Sequence, residues 1–346
     1  MNLEFPALLG RVLSAGGAEW VDPADVRAAF DAILAGAWTP VQVAAFAVAL
    51  RMHGESAGAI VSAAEAMRAT MTAVEHGLPV VLDTCGTGGD GAHTLNLSSA
   101  AAVVVAACGV AVAKHGNRSV SSRCGSADVV EALGVPLDVD PLRQHEVLRE
   151  VGIAFLFAPA HHPALKHAAQ ARRELGTRTI FNALGPLVNP ARASHQLVGV
   201  YQDSLRPIAA RALGRLGSRR AWVVRGEDGL DEISPCAPTR VSELGEDGEV
   251  RERTITPEDF GVVRVDRSAI AGSDASANAQ ALEAILGGEQ HRAREAVVLN
   301  AGAALTVATG EEPRAAAERA RTALDGGAAR ALLEQWRRVA RRVRGG

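Results

Sequence analysis

Apolar positions along the chain fall into two textures. Up to about residue 75 they recur at helical spacing, and two segments carry helix-start chemistry. Asp22-Pro23-Ala24-Asp25 sets a capping carboxylate before a proline at the first helical position, and Thr39-Pro40-Val41-Gln42 repeats the device with an amide at N3. About four helices are predicted there. Beyond residue 77, short apolar runs alternate with helical stretches. Val80 to Asp83, Val110 to Lys114, Ala154 to Ala158, Leu197 to Tyr201 and Ala221 to Arg225 predict strands, the first opening after Pro79, which lacks the N–H of a central strand position. The alternation predicts an α/β fold with right-handed crossovers and a mostly parallel central sheet flanked by helices. Pro163 to Leu175 reads as a helix, and residues 238–262 as an antiparallel excursion around the hairpin signal Glu246-Asp247-Gly248-Glu249. From about residue 276 the pattern is mostly helical, and no internal repeat interrupts it.

A chain of 346 residues exceeds one ordinary core, so two domains, or one α/β domain with a helical appendage, are expected. The net charge of −3 gives no general attraction to nucleic acid or membrane, and any attraction for anions must be local. Four cysteines, Cys85, Cys108, Cys124 and Cys236, show neither zinc spacing nor the density of a disulfide framework. With no signal-peptide pattern at the N-terminus and no run of about 18 apolar residues, a cytoplasmic protein with reduced thiols is expected.

The chemistry concentrates in two glycine-rich turns, each following an apolar run. Gly86-Thr87-Gly88-Gly89-Asp90 leads through Asn96-Leu97-Ser98-Ser99 into the apolar helix 100–107, and Lys114-His115-Gly116-Asn117-Arg118 precedes Gly125-Ser126, which opens another helix. Glycines admit an anion to backbone N–H groups, and helix N-termini add unpaired donors. Alone, the first turn is as consistent with a tight structural turn as with an anion cradle. It fits neither the Walker motif nor the dinucleotide fingerprint. Two helix starts and a lysine within about forty residues favour a multiply phosphorylated small molecule.

These motifs, with Gly125-Ser126-Ala127-Asp128-Val129, the segment Arg172-Arg173-Glu174-Leu175-Gly176-Thr177-Arg178-Thr179-Ile180-Phe181-Asn182-Ala183-Leu184-Gly185-Pro186-Leu187-Val188-Asn189-Pro190 and Gly229-Leu230-Asp231-Glu232, resemble the anthranilate phosphoribosyltransferases over essentially the whole chain. Departures are mild, Ser99 standing for threonine and Val130 for leucine. The resemblance implies a helical domain at 1–75, joined by a helix at 163–185, and a phosphoribosyl pyrophosphate-binding α/β domain built from 76–162 and 186–346, of the nucleoside phosphorylase and phosphoribosyltransferase type. It implies transfer of phosphoribosyl from 5-phosphoribosyl 1-pyrophosphate to the amine of anthranilate in tryptophan biosynthesis, with Mg2+, by a homodimer assembled through the N-terminal helices. Dimerisation of that kind would account for the apolar surplus at Phe46, Val48 and Leu50.

Residue roles follow from the same resemblance. Donor contacts are expected from Gly86, Gly89, Asp90, Thr94, Asn96, Leu97, Ser98 and Ser99, from Lys114, His115, Gly116, Asn117, Arg118, Ser119, Val120, Ser121 and Ser122, and from Ser126. Anthranilate contacts are expected from Gly86, His115, Asn117 and Arg172, whose guanidinium can hold a carboxylate through two hydrogen bonds. Metal ligands are expected at Ser98, Asp231 and Glu232, with Lys114 and His115 as catalytic groups. The bland alternatives are a solvated acidic turn at Asp231-Glu232, a helix cap at Ser98, and Arg172, Arg173 and Arg178 on a solvated helix face. The role of Asp90, a carboxylate in an anion cradle, stays open. His161, His162 and His167 cluster locally without a metal-binding pattern. Two rival functions are a nucleoside phosphorylase and a nucleic-acid binder using Arg337, Arg338, Arg341, Arg342 and Arg344.

Overall fold

Four helices open the chain in the computed structural model, which describes residues 5–15, 21–119 and 123–345. They span Phe5–Ser14, Pro23–Leu34, Pro40–His53 and Ala57–Thr70. The capping chemistry sets their starts. Asp22 accepts from Ala24 N–H at 2.8 Å, and Thr39 and Gln42 cap each other reciprocally at 2.9 and 3.4 Å. Phe30, Ile33, Phe46, Leu50 and Ile60 are fully buried among these helices. Phe46 and Leu50 therefore fill the chain's own core, which corrects their assignment to an intersubunit surplus. Val48 stays 41% exposed, and it is joined on the same helix by Val41 and Met52.

Seven strands form one sheet in the order β3-β2-β1-β4-β5-β6-β7. They are β1 Leu82–Asp83, β2 Val112–Gly116, β3 Ile153–Phe157, β4 His195–Gly199, β5 Arg220–Gly226, β6 Thr239–Leu244 and β7 Val250–Ile255. The first five pair in parallel, and β5, β6 and β7 pair antiparallel. The expected strands occur, shifted by a residue or two at most ends. β1 is shorter than its apolar run because the Val81 N–H goes to Ser194 Oγ at 3.1 Å. The expected helix 163–185 is not continuous. Its α-helical part is Lys166–Leu175, Gly176 turns left-handed at φ 57°, and a short helix restarts at Ile180–Leu184.

Strand alternation sorts the sheet's side chains between two apolar cores. Leu197, Trp222 and Val224 belong to a core with helices Leu97–Ala107, Arg294–Thr309 and Ala328–Gly345. Val198, Ala221 and Val223 belong to a core shared with helix Leu205–Arg215, Phe181, Leu184 and the N-terminal helices. The N-terminal helices are thus packed, through 168–188, onto one face of the sheet. β1 lies between β2 and β4, so the chain leaves it toward one edge and later returns on its other side. Such a switch point opens a crevice at the carboxyl ends of parallel strands, where open α/β sheets hold their ligands.

The basic C-terminal helix faces its own protein. Arg337 pairs with Glu283 and Glu334, Arg342 with Glu150, and Arg344 with Asp138, while Arg341 donates to the Gly134 carbonyl. Leu333, Trp336, Val339 and Val343 bury its other face. Three of the five arginines are thus paired with the protein's own carboxylates, which weakens the nucleic-acid reading, while Arg338 is exposed.

Candidate active site

A cleft of about 1080 Å³ opens at the switch point, between the carboxyl ends of β1, β2 and β4 and the segment 165–188. Gly86, Gly89, Asp90, Thr94, Asn96 and Ser98 line one side. Lys114, His115, Gly116, Asn117, Arg118, Ser119 and Ser126 continue around it, and Arg172, Asp231 and Glu232 complete it. Leu97 and Ser99 do not line the cleft. Leu97 packs into the apolar core, and Ser99 is buried with its hydroxyl unpartnered, because this helix is buried on nearly all sides. Any donor contact from those two would have to come from the backbone. Val120, Ser121 and Ser122 lie outside the described residues.

The floor is backbone against backbone. Thr87 N–H donates to the Gly199 carbonyl at 2.8 Å, and a Cβ on Gly199 would overlap the Asp231 carbonyl oxygen. Only glycine permits this approach of β4 to the acidic loop. Gly89, at φ 77°, faces the Arg178 guanidinium, where a Cβ would stand 2.7 Å from Nη2.

Lys114, only 2% exposed, donates to the Thr84 carbonyl and hydroxyl at 3.1 Å each and to Ser98 Oγ at 3.3 Å. Beneath it, fully buried Asp83 accepts from Cys85 N–H at 3.0 Å, His115 N–H at 3.1 Å and Asn189 Nδ2 at 2.7 Å. Burial pushes the Asp83 carboxyl up to about 6, against the opposing pull of Lys114 and these donors. Ser98 N–H donates to Glu232 Oε1 at 3.3 Å, at the start of helix Leu97–Ala107, where unpaired donors are expected. Asp90 accepts from Ala92 N–H at 2.9 Å and from Asp231 N–H at 3.3 Å, tying the first glycine turn to the acidic loop.

Asp231 and Glu232 both bind protons more tightly than ordinary carboxyls. Burial is the largest cause for each, followed by Asp90 acting on Asp231 and by Asp231 acting on Glu232. Crowded anions of this kind are relieved by a cation. Two carboxylates beside a hydroxyl suit Mg2+, which keeps several waters and shares its shell with substrate phosphates. Among the described residues no three His, Cys, Asp or Glu side chains gather as a metal cage. His161 and His162 are buried and His167 is exposed.

The opposite wall is less complete. Arg172 has no ion pair or hydrogen bond among the described residues, and its guanidinium lies 5.6 Å from the Phe181 ring centroid. Burial lowers its proton affinity. Arg173 and Arg178 line the same cleft, likewise without a hydrogen bond or ion pair among the described residues; Arg173 is exposed, and half-buried Arg178 stacks on Tyr201 at 4.3 Å. His115 Nδ1 lies 3.0 Å from the Gly185 carbonyl. A carbonyl only accepts, so Nδ1 carries the hydrogen and Nε2 is the lone-pair nitrogen. That Nε2 is buried without a partner, as is Nε2 of His162, whose ring centroid is 5.2 Å away. Burial, then His162, pushes His115 well below the usual imidazole range, so it is neutral near pH 7. Cys85 and Cys124 are no nucleophiles here, since burial raises both thiols.

Residues 78–330 match the glycosyl transferase family a/b domain, and residues 11–71 match that family's helical bundle domain. The anthranilate phosphoribosyltransferase of Myxococcus xanthus is 56% identical over 302 residues, covering 87% of this chain and 89% of the relative. The chain belongs to the anthranilate phosphoribosyltransferase family. The solved anthranilate phosphoribosyltransferase of Thermus thermophilus superposes with a TM-score of 0.90 at 40% identity, covering 96% of this chain and 99% of that one. The Saccharomyces cerevisiae enzyme, solved in complex with PRPP and Mg, gives a TM-score of 0.90 at 27% identity over 98% of both chains.

Within the anthranilate phosphoribosyltransferase family assignment, several groups at the site escaped sequence reasoning. Thr84 anchors the lysine, Asn189 anchors Asp83, and Asn300 lines the cleft from helix Arg294–Thr309. Each acts across 30 or more positions of the chain. Only Thr84, adjacent to the apolar run that ends at Asp83, left a local hint.

Proposed function

We infer that the chain transfers the phosphoribosyl group of 5-phosphoribosyl 1-pyrophosphate to the amino group of anthranilate, releasing pyrophosphate, and that the cleft is where it does so. The observation that carries this is the facing of two unlike walls: lysine, helix start and acidic pair on one side, and on the other Arg172, without an ion pair or hydrogen bond among the described residues, and the bare His115 Nε2.

The donor's phosphates are taken by the glycine turns, the N-terminus of helix Leu97–Ala107 and Lys114, whose preorganised charge stabilises the growing negative charge on the leaving pyrophosphate. Ser98, Asp231 and Glu232 hold Mg2+, which supplies further neutralisation of that leaving group when bound. Leu97 and Ser99 contribute to this wall through their backbone alone. Arg172 receives the anthranilate carboxylate, with Gly86 and Asn117 beside it. The amine lone pair attacks C1 of the sugar as the C1–O bond to pyrophosphate breaks, with inversion. Nitrogen becomes acidic as the C–N bond forms, and neutral His115 Nε2 accepts the proton it sheds. Both substrates held between the two walls gain rate from proximity.

The helical unit at 1–75 and the α/β unit at 76–162 and 186–346 act as the two jaws, with 163–185 between them. A homodimer is assembled through the N-terminal helices, where Leu13, Val41, Val48 and Met52 are exposed apolar side chains. No helix among the described residues is long and apolar enough to cross a membrane, and no disulfide joins the cysteines, in keeping with a cytoplasmic site. Loss of anthranilate fluorescence on mixing protein, anthranilate, 5-phosphoribosyl 1-pyrophosphate and Mg2+ is the expected result, abolished by EDTA or by omitting the donor. Phosphorolysis of a pyrimidine nucleoside instead would establish the rival phosphorylase.

A further inference from the structure

Asn300 lies 2% exposed on helix Arg294–Thr309, where nearly every residue is buried. Its side-chain amide takes both backbone groups of one residue. Ile233 N–H donates to Oδ1 at 3.1 Å, and Nδ2 donates to the Ile233 carbonyl at 3.0 Å. A further bond from Nδ2 to the Ala296 carbonyl, at 2.9 Å, fixes the amide against its own helix. Ile233 directly follows Glu232 and is 1% exposed. The amide thus serves Ile233 as a strand neighbour would, and a buried peptide left without it would lose two hydrogen bonds at once.

We propose that Asn300 is a positioning residue for the cation-holding pair Asp231-Glu232, which rests on the function inferred above. The acidic loop is held from three sides. Asp90 takes the Asp231 N–H, Ser98 N–H meets the Glu232 carboxylate, and Asn300 locks the peptide immediately beyond. The first two come from the donor turn and the helix after it. Asn300 alone brings in the buried helix Arg294–Thr309, so it sets where two mutually repelling carboxylates sit relative to Ser98. Outer groups that orient metal ligands typically contribute about 10- to 100-fold in metal affinity.

The test is Mn2+ binding, followed by electron paramagnetic resonance of the free ion, to the full chain with 5-phosphoribosyl 1-pyrophosphate present. Asn300→Ala should weaken Mn2+ binding by about 10- to 100-fold. It should raise the Mg2+ concentration for half-maximal turnover in parallel, and leave the anthranilate KM at saturating metal unchanged. Asn300→Ser, which retains a small polar group, serves should the alanine variant not fold, and the same shift is expected. A folded variant that binds Mn2+ as the wild type does, whatever its loss of thermal stability, overturns the proposal. A wild-type chain that binds no Mn2+ in the presence of donor overturns the underlying reading of the acidic pair, and the proposal with it.

Discussion

The two walls of the cleft are finished to different degrees. On the phosphate wall the Lys114 ammonium has its acceptors in place, Asp83 has all its donors, and Ser98 N–H already meets Glu232. On the aromatic-acid wall Arg172 is unpaired among the described residues, and two imidazole nitrogens are buried bare. A buried polar atom left unsatisfied costs about 1–3 kcal/mol. The second wall therefore carries a deficit that a carboxylate and an amine can relieve, whereas the first is set before any ligand arrives. The phosphate wall's own deficit is one of charge, at Asp231 and Glu232.

That contrast can be broken most forcefully at Lys114. Replacing it by alanine should lower kcat/KM about 100- to 1000-fold, the usual cost of one preorganised donor. It should also lower Tm, because Asp83 and Glu232 both lose a favourable cation. Retained turnover would show that the phosphate wall is not the electrostatic centre. Asp231→Ala comes next: steady-state titration should show a raised Mg2+ requirement with little change in anthranilate KM. Arg172→Ala should raise the anthranilate KM about 10- to 100-fold, from the loss of charged hydrogen bonds, while the donor KM holds. Equal losses for both substrates in each variant, with folding intact, would erase the distinction between walls.

The smallest effect is one of pH. In the unfolded chain Asp231 and Glu232 release protons in the ordinary range near 4, but in the folded chain they hold them toward neutrality. Between those limits the native state binds more protons, so its stability falls as pH rises. Thermal melting of the metal-free protein should show that fall, with the stabilisation by added Mg2+ growing over the same interval. A melting curve that rises with pH there would contradict the crowding of these carboxylates.

Much of this wall structure is written locally and some of it is not. The glycine turns, the lysine and the helix starts at Leu97 and Ser126 are contiguous patterns, so they were readable. So were the five parallel strands, because each is a short apolar run. β1 was overestimated since its run continues past the point where Ser194 takes the ladder's place. The break at Gly176 hid inside a segment that is helical on both sides. Arg172 could be told from Arg173 and Arg178 only through the family, because all three line the cleft and none has a hydrogen bond or ion pair among the described residues. The anchoring of Asp83 by Asn189 spans 106 positions and leaves no periodicity to detect.

Gly199 sets a limit on how this enzyme can be redesigned. With the end of β4 packed against the main chain of the acidic loop, a side chain at position 199 cannot be introduced without displacing that loop. Broader substrate range has to be cut from the helical wall instead, at Leu165, Ala169 or Phe181, where side chains face the opening and a smaller one leaves room.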